Sequence, residues 1–197
     1  MTPQAESILE LFRSTGAYLQ GHFRLTSGLH SSEYLQCALV LQHPAAAEKL
    51  GRLLAEQIRS IAPEPIGIVV SPALGGLIVG HEVARALGTP FLFTERDSAT
   101  GKMSLRRGFA VAPGETAVVV EDVITTGGST QDVVGVLQEA GARVLAAGSI
   151  IDRSGGHAQV GVPRVALATM QVAAHHPEEC PLCALGIPVV KPGSRPT

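Results

Sequence analysis

The residues from Val118 to Thr130 carry the densest chemistry in the chain. They read Val-Val-Val-Glu-Asp-Val-Ile-Thr-Thr-Gly-Gly-Ser-Thr. Three β-branched residues predict a buried strand. Two adjacent carboxylates, Glu121 and Asp122, follow it. Then come six uncharged small residues, Thr125, Thr126, Gly127, Gly128, Ser129 and Thr130, and a helical pattern over 131–140. Backbone N–H groups of a Gly-rich turn, hydroxyls and a helix N-terminus suit a phosphate dianion. Carboxylates beside them accept from sugar hydroxyls or hold a hydrated cation. The ligand that fits both halves is a sugar phosphate. No G-x-x-x-x-G-K-[ST] and no G-x-G-x-x-G after a strand occurs, which argues against P-loop and dinucleotide sites.

Three further loops follow expected strand ends. Ser71-Pro72-Ala73-Leu74-Gly75-Gly76 opens a helix with two glycines, which lets an anion approach the backbone. The same residues also suit a plain tight turn. Segment 95–108 holds Arg96, Lys102, Arg106 and Arg107 and reads as a long mobile loop. Its cations suit a polyanionic group, although a solvated charged loop has the same composition. Ile151-Asp152-Arg153-Ser154-Gly155-Gly156 places an arginine where it can grip a planar carboxylate through two parallel hydrogen bonds. The alternative is a surface ion pair made by Asp152.

The elements that must position these loops alternate strand and helix. Helices are expected over 6–14, 44–60, 75–87 (closed by Gly88) and 131–140. Strands are expected over 66–70, 90–93, 118–120, 143–151 and 165–172, with irregular strands over 23–34. This order predicts an α/β fold with a central parallel sheet flanked by helices. Ligands in such sheets bind at the carboxyl ends of the strands. With 197 residues, 45% hydrophobic content and 22 Gly, one domain is expected. Residues 1–40 and the tail would flank a core of roughly 41–172. A net charge of −2 implies no general attraction to nucleic acid or membrane. No signal peptide or membrane span is expected, and three Cys point to a reducing, cytoplasmic location.

The tail reads His175-His176-Pro177-Glu178-Glu179-Cys180-Pro181-Leu182-Cys183. A lone C-x-x-C favours a plain surface turn. A zinc site at Cys180 and Cys183, completed by His175 or His176, and a redox pair are the alternatives. Cys37, among apolar residues, reads as a small core side chain.

The 118–130 run resembles the 5-phosphoribosyl pyrophosphate (PRPP) signature of the type I phosphoribosyltransferases. Segments 21–34 and 71–76 and the tail extend that resemblance to the orotate-using branch. The resemblance implies a type I phosphoribosyltransferase fold with an N-terminal hood made by roughly residues 1–40 and the tail, and transfer of phosphoribose from PRPP to orotate in pyrimidine synthesis. It implies Glu121 and Asp122 on the ribose hydroxyls, Thr125 to Thr130 on the 5-phosphate, and Ala73, Leu74 and Gly75 on pyrophosphate. Lys102, Arg96 and Asp122 would be the catalytic groups. Ser27, Gly28, Tyr34 (or Tyr18 in its place), Thr125 and Arg153 would meet orotate. Magnesium would be held mainly by PRPP, and no other metal is required. A homodimer is implied, with one protomer's charged loop completing its neighbour's pocket. The pattern departs from the family's at Asp97 and Thr26, where lysines are usual, and in the absence of a loop histidine. The alternatives are a phosphoribosyltransferase for a purine or another base, and a non-catalytic PRPP-sensing regulator.

Overall fold

The structure, a computed structural model, describes residues 2–25 and 27–192. Thr26 and the last five residues of the tail lie outside the described residues. Helix α1, Pro3–Ser14, starts earlier than its apolar stripe suggests. Thr2 accepts from the Ala5 N–H at 3.2 Å and Pro3 occupies the first turn, which together set the start. Strands β1, Tyr18–Arg24, and β2, His30–Leu35, form a regular antiparallel hairpin where irregular strands were expected. Their register shifts once, between Gln20 and Phe23. A short helix α2, Cys37–Leu41, went unforeseen, and Cys37 is buried in it as expected.

Helix α3, Pro44–Ile61, lays Leu50, Leu54 and Ile58 on the core. The elements after it build the main sheet. They are β3 (Ile68–Pro72), α4 (Gly76–Leu87), β4 (Phe91–Arg96), β5 (Met103–Leu105), β6 (Thr116–Ile124), α5 (Gly128–Glu139), β7 (Arg143–Asp152) and β8 (Arg164–Thr169). The six strands lie in the order β5-β4-β3-β6-β7-β8. Five are parallel, and β5 runs antiparallel to β4. The centre of the sheet is parallel, as expected, and β5 adds one antiparallel edge strand. Gly88 closes α4 in the left-handed conformation, as expected.

Strand alternation divides the core between the two faces. Val69, Val118, Val120 and Ile150 join α1, α2, α3 and α4 on one side. Val70, Ala117, Val119 and Ala147 meet Val133, Val134 and Leu137 of α5 on the other. Strand β3 leads to β4 on one flank, while the chain returns to place β6 on the other. The strand order thus reverses between β3 and β6, and the loops leaving these two strands flank a crevice.

The tail carries a 3₁₀ turn, Pro177–Glu179, and helix α6, Pro181–Ala184. It runs along both edges of the hood hairpin. Val190 pairs with His22 and Arg24, and His175 pairs with His30. Cys180 is 3% exposed while Cys183 is exposed, so the C-x-x-C is a surface turn with one thiol buried. Its neighbours are His22 and His30 rather than the tail's own His175 and His176. No helix among the described residues is long and apolar enough to cross a membrane.

Candidate active site

Strand β6 does not end before its acids, as the apolar run suggested. It continues to Ile124, so Glu121 and Asp122 lie inside the strand and face opposite sides of the sheet. Glu121 turns toward α5 and accepts from Thr130 Oγ1 at 3.2 Å. Asp122 turns toward the loop after β3. A Cβ on Gly75 would lie 2.7 Å from its Oδ1, so only glycine lets that loop come so close. Oδ1 of Asp122 also accepts from the Val123 N–H at 2.8 Å. The two acids thus serve the two loops that flank the crevice.

The segment after β6 curls into a hollow of about 70 Å³ lined by Glu121 and residues 123–130. Gly127 adopts φ +87 at the N-cap of α5, and its carbonyl accepts from the Gln131 N–H at 2.9 Å. Helix α5 starts at Gly128, three residues earlier than expected, so Gly128, Ser129 and Thr130 are its first turn. The free N–H groups of that turn face the hollow.

Burial, then the neighbouring Asp122 charge, pushes Glu121 up to about 8. Burial also raises Asp122. A ligand that requires ionised carboxylates must remove the Glu121 proton. Its affinity should therefore rise with pH toward about 8 and then level off. Binding near pH 7 should release up to about one proton, seen in calorimetry as a dependence on buffer ionisation enthalpy. Without ligand the same shift acts on stability. Glu121's contribution is fully present below its ordinary value of 4.5 and is lost as pH climbs through about 8.

Arg153 follows β7, and its N–H donates to the Ile124 carbonyl at 2.8 Å, which fixes it beside the end of β6. Its Nε is buried and finds no hydrogen-bond partner among the described residues. Burial lowers its pKa, and the nearest opposing influences are Tyr34 and Glu33 of the hood. Tyr34 in turn is raised by burial and the Asp122 charge, and Arg153 pulls it back. One acid, the hood tyrosine and a half-buried guanidinium therefore share one side of the crevice. Tyr18 instead donates to Glu33 at 2.5 Å.

The phosphoribosyl transferase domain model matches residues 38–174. An orotate phosphoribosyltransferase from Pelotomaculum thermopropionicum is 53% identical over 96% of this chain and 97% of its own length. One from Heliobacterium modesticaldum is 52% identical over 96% and 98%. The chain belongs to the orotate phosphoribosyltransferase family. The crystal structure of orotate phosphoribosyltransferase from Aeropyrum pernix aligns with a TM-score of 0.68 at 28% identity, over 83% of this chain and 93% of that one.

Like the rest of this family, the chain is a pentosyltransferase, and its other loops depart from expectation in instructive ways. Ala73 and Leu74 are joined by a cis peptide, and Leu74 is exposed. The mobile loop expected over 95–108 is a hairpin. Asp97, standing where a lysine is usual, accepts from the N–H groups of Ala99 and Thr100 and from Thr100 Oγ1. Those bonds hold its carboxyl below the ordinary range and close the turn that lets β5 pair. Arg96 bonds the Gly101 carbonyl at 2.6 Å and Asp132 of α5 at 2.7 Å. That anchors the hairpin to α5, whose first turn lines the hollow. Lys102 is exposed. Arg107, at φ 58, clasps Glu95 through two bonds of 2.8 and 2.9 Å. Ser27 and Gly28 lie in the hood turn, where the Gly28 N–H donates to the Leu25 carbonyl.

Asp132 and Arg164 were not anticipated. Asp132 is an ordinary helix-surface acid in sequence. Arg164 follows a proline and shows no pattern, yet it pairs at 2.6 Å with Asp152, which is 1% exposed. The Asp152 ion pair is thus buried rather than superficial, and it does not involve Arg153.

Proposed function

We propose that this enzyme transfers the 5-phosphoribosyl group of PRPP to N1 of orotate, giving orotidine 5-monophosphate and pyrophosphate. Arg153 carries the reading. A half-buried guanidinium with an unpaired Nε on the edge that holds a phosphate hollow calls for a second, planar anion. Thr125 to Thr130 would take the 5-phosphate, with Thr125 reaching toward the base. Glu121 and Asp122 would accept from the ribose hydroxyls. The loop Ala73, Leu74, Gly75 would face pyrophosphate. Tyr34 would cover the base, and Ser27 and Gly28 would read its edge.

Two oxygen-only carboxylates, both raised by burial, suit a hard divalent cation. Mg²⁺ held by PRPP beside Asp122 and Glu121 would neutralise the leaving group. Arg96 and Lys102 would add positive charge there as the bond to C1 of ribose breaks. Arg96 can turn to pyrophosphate cheaply, because its partly exposed pair with Asp132 is worth at most about 1 kcal/mol. Orotate arrives as an anion, so the chain mainly aligns N1 with C1 and excludes water. We also propose one folding unit with the hood and tail serving the core, a cytoplasmic location, and a homodimer in which hairpin 97–108 reaches a neighbouring pocket.

Incubation with PRPP, Mg²⁺ and orotate, uracil or hypoxanthine tests the substrate. Ultraviolet loss should occur with orotate alone. Arg153→Ala should raise the KM for orotate roughly 10- to 150-fold, the loss of about 1.5–3 kcal/mol of charge-assisted bonding. The KM for PRPP should stay near wild type. Consumption of hypoxanthine in place of orotate, or an unchanged KM for orotate in Arg153→Ala, would overturn the reading.

A further inference from the structure

Four side chains that the candidate site does not use converge on one point. His22 Nε2 lies 2.9 Å from His30 Nδ1, 3.5 Å from Cys180 Sγ and 3.7 Å from Cys183 Sγ. Cys183 Sγ lies 3.2 Å from His30 Nδ1, and all four donor atoms fall within 4.8 Å of one another. A tetrahedral zinc with Zn–N near 2.05 Å and Zn–S near 2.3 Å spaces two nitrogens about 3.3 Å apart, and nitrogen and sulfur about 3.6 Å apart. The four edges given match those figures within about half an ångström, and the other two are no longer than 4.8 Å.

The surroundings fix the donors' chemistry. His22 Nδ1 lies 2.7 Å from the Ile187 carbonyl, so it must carry the proton and donate it there. That leaves Nε2 with a bare lone pair aimed at the cluster. A backbone carbonyl orienting the far nitrogen is the usual outer partner of a zinc-bound histidine. Three of the four residues are buried, and all three cysteines of the chain are free thiols. Two thiolates and two neutral imidazoles would leave a bound Zn²⁺ electrically neutral, which suits a buried place.

We propose that His22 Nε2, His30 Nδ1, Cys180 Sγ and Cys183 Sγ bind one structural Zn²⁺ that fastens the C-terminal tail to the hood hairpin. His22 and His30 stand on the paired strands β1 and β2, at the two ends of the turn that carries Ser27 and Gly28. The metal clamps that turn at its base. Hydrogen bonds also cross this seam, among them Val190 N–H to the His22 carbonyl, His175 N–H to the His30 carbonyl, Ser31 Oγ to the Ala173 carbonyl and His22 Nδ1 to the Ile187 carbonyl. All four donors are protein atoms, and none is used in phosphoribosyl transfer. The metal assignment therefore stands whether or not orotate is the substrate.

The test uses the full chain purified without chelators. Elemental analysis should find about one zinc per chain. After chelation under reducing conditions, added Co²⁺ should give the intense visible bands of a tetrahedral thiolate site, and Zn²⁺ should displace them. Cys183→Ser, at the exposed corner, should abolish those bands and lower the melting temperature to that of the chelated wild type. Wild-type protein that takes up neither metal would overturn the proposal. So would a Cys180–Cys183 disulfide that re-forms in air and gives way, once reduced, to thiols with no cobalt spectrum.

Discussion

An Arg164→Ala variant will lose about 3–5 kcal/mol of stability, because it strands a buried charge. Asp152 is 1% exposed and accepts from Arg164 Nη1 at 2.6 Å, Ser154 N–H at 2.8 Å and Ser154 Oγ at 2.6 Å. Burial pushes its carboxyl up, but the bonds from Ser154 and Arg164 outweigh burial and hold it below the ordinary range. Removing Arg164 removes the one positive charge among those donors. In thermal melts the fall should be about 6–20 °C for a chain of this size. Asp152→Asn combined with Arg164→Ala should recover part of the loss, since no charge then remains to be buried. A double variant no more stable than the single one would show that Arg164 acts through packing alone. A lowered carboxylate contributes stability above its ordinary value of 3.8 and loses it as pH falls through the folded-state value. Wild-type advantage over the double variant should therefore shrink in acid.

Gly127→Ala is the second large effect, and Gly128→Ala is its control. Gly127 sits at φ +87, and a Cβ there would lie 2.9 Å from Val160 Cγ1 and 3.2 Å from the Gln159 carbonyl. A left-handed non-glycine residue costs about 1–2 kcal/mol, and crowding a packed contact adds about 1–3 kcal/mol. The loop can escape only by moving off segment 157–160, to which Gln131 Nε2 ties the next helical turn at 2.6 Å. The KM for PRPP should rise at least about tenfold, because about 1.4 kcal/mol of lost preorganisation already gives that factor. The melting temperature should fall as well. A Cβ on Gly128 would meet only Thr126 Oγ1 at 3.8 Å, in ordinary helical backbone. Gly128→Ala should therefore melt within a degree or two of wild type. Equal melting temperatures for the two variants would contradict this account.

The hollow after β6 was legible because its chemistry is local. Strand, acids, small residues and helix lie in one run of 13, and backbone N–H groups need no distant partner to make an anion site. Arg153 was legible for the same reason, as a cation just past a strand in an α/β pattern. The bounds of β6 were not. Glu121 and Asp122 look like a strand end, yet pairing with β7 carries the strand through them, from Thr116 with Arg143 to Ile124 with Asp152. Segment 95–108 looked unstructured because its charges hide a three-residue edge strand. Asp97, which seemed a defect in a cationic loop, is the residue that closes the turn.

The sequence by itself determined the layered α/β order, the Gly-rich turn with its acids, and the family to which the chain belongs. Each of these is written in neighbouring residues, where periodicity and turn chemistry act over a few positions. Tertiary structure alone decided which partners meet across the chain. It put Arg164 on Asp152, Arg96 on Asp132, and His22 and His30 against cysteines about 150 residues away. No local rule encodes such pairs, because they exist only once strand order and the path of the tail have brought the side chains together.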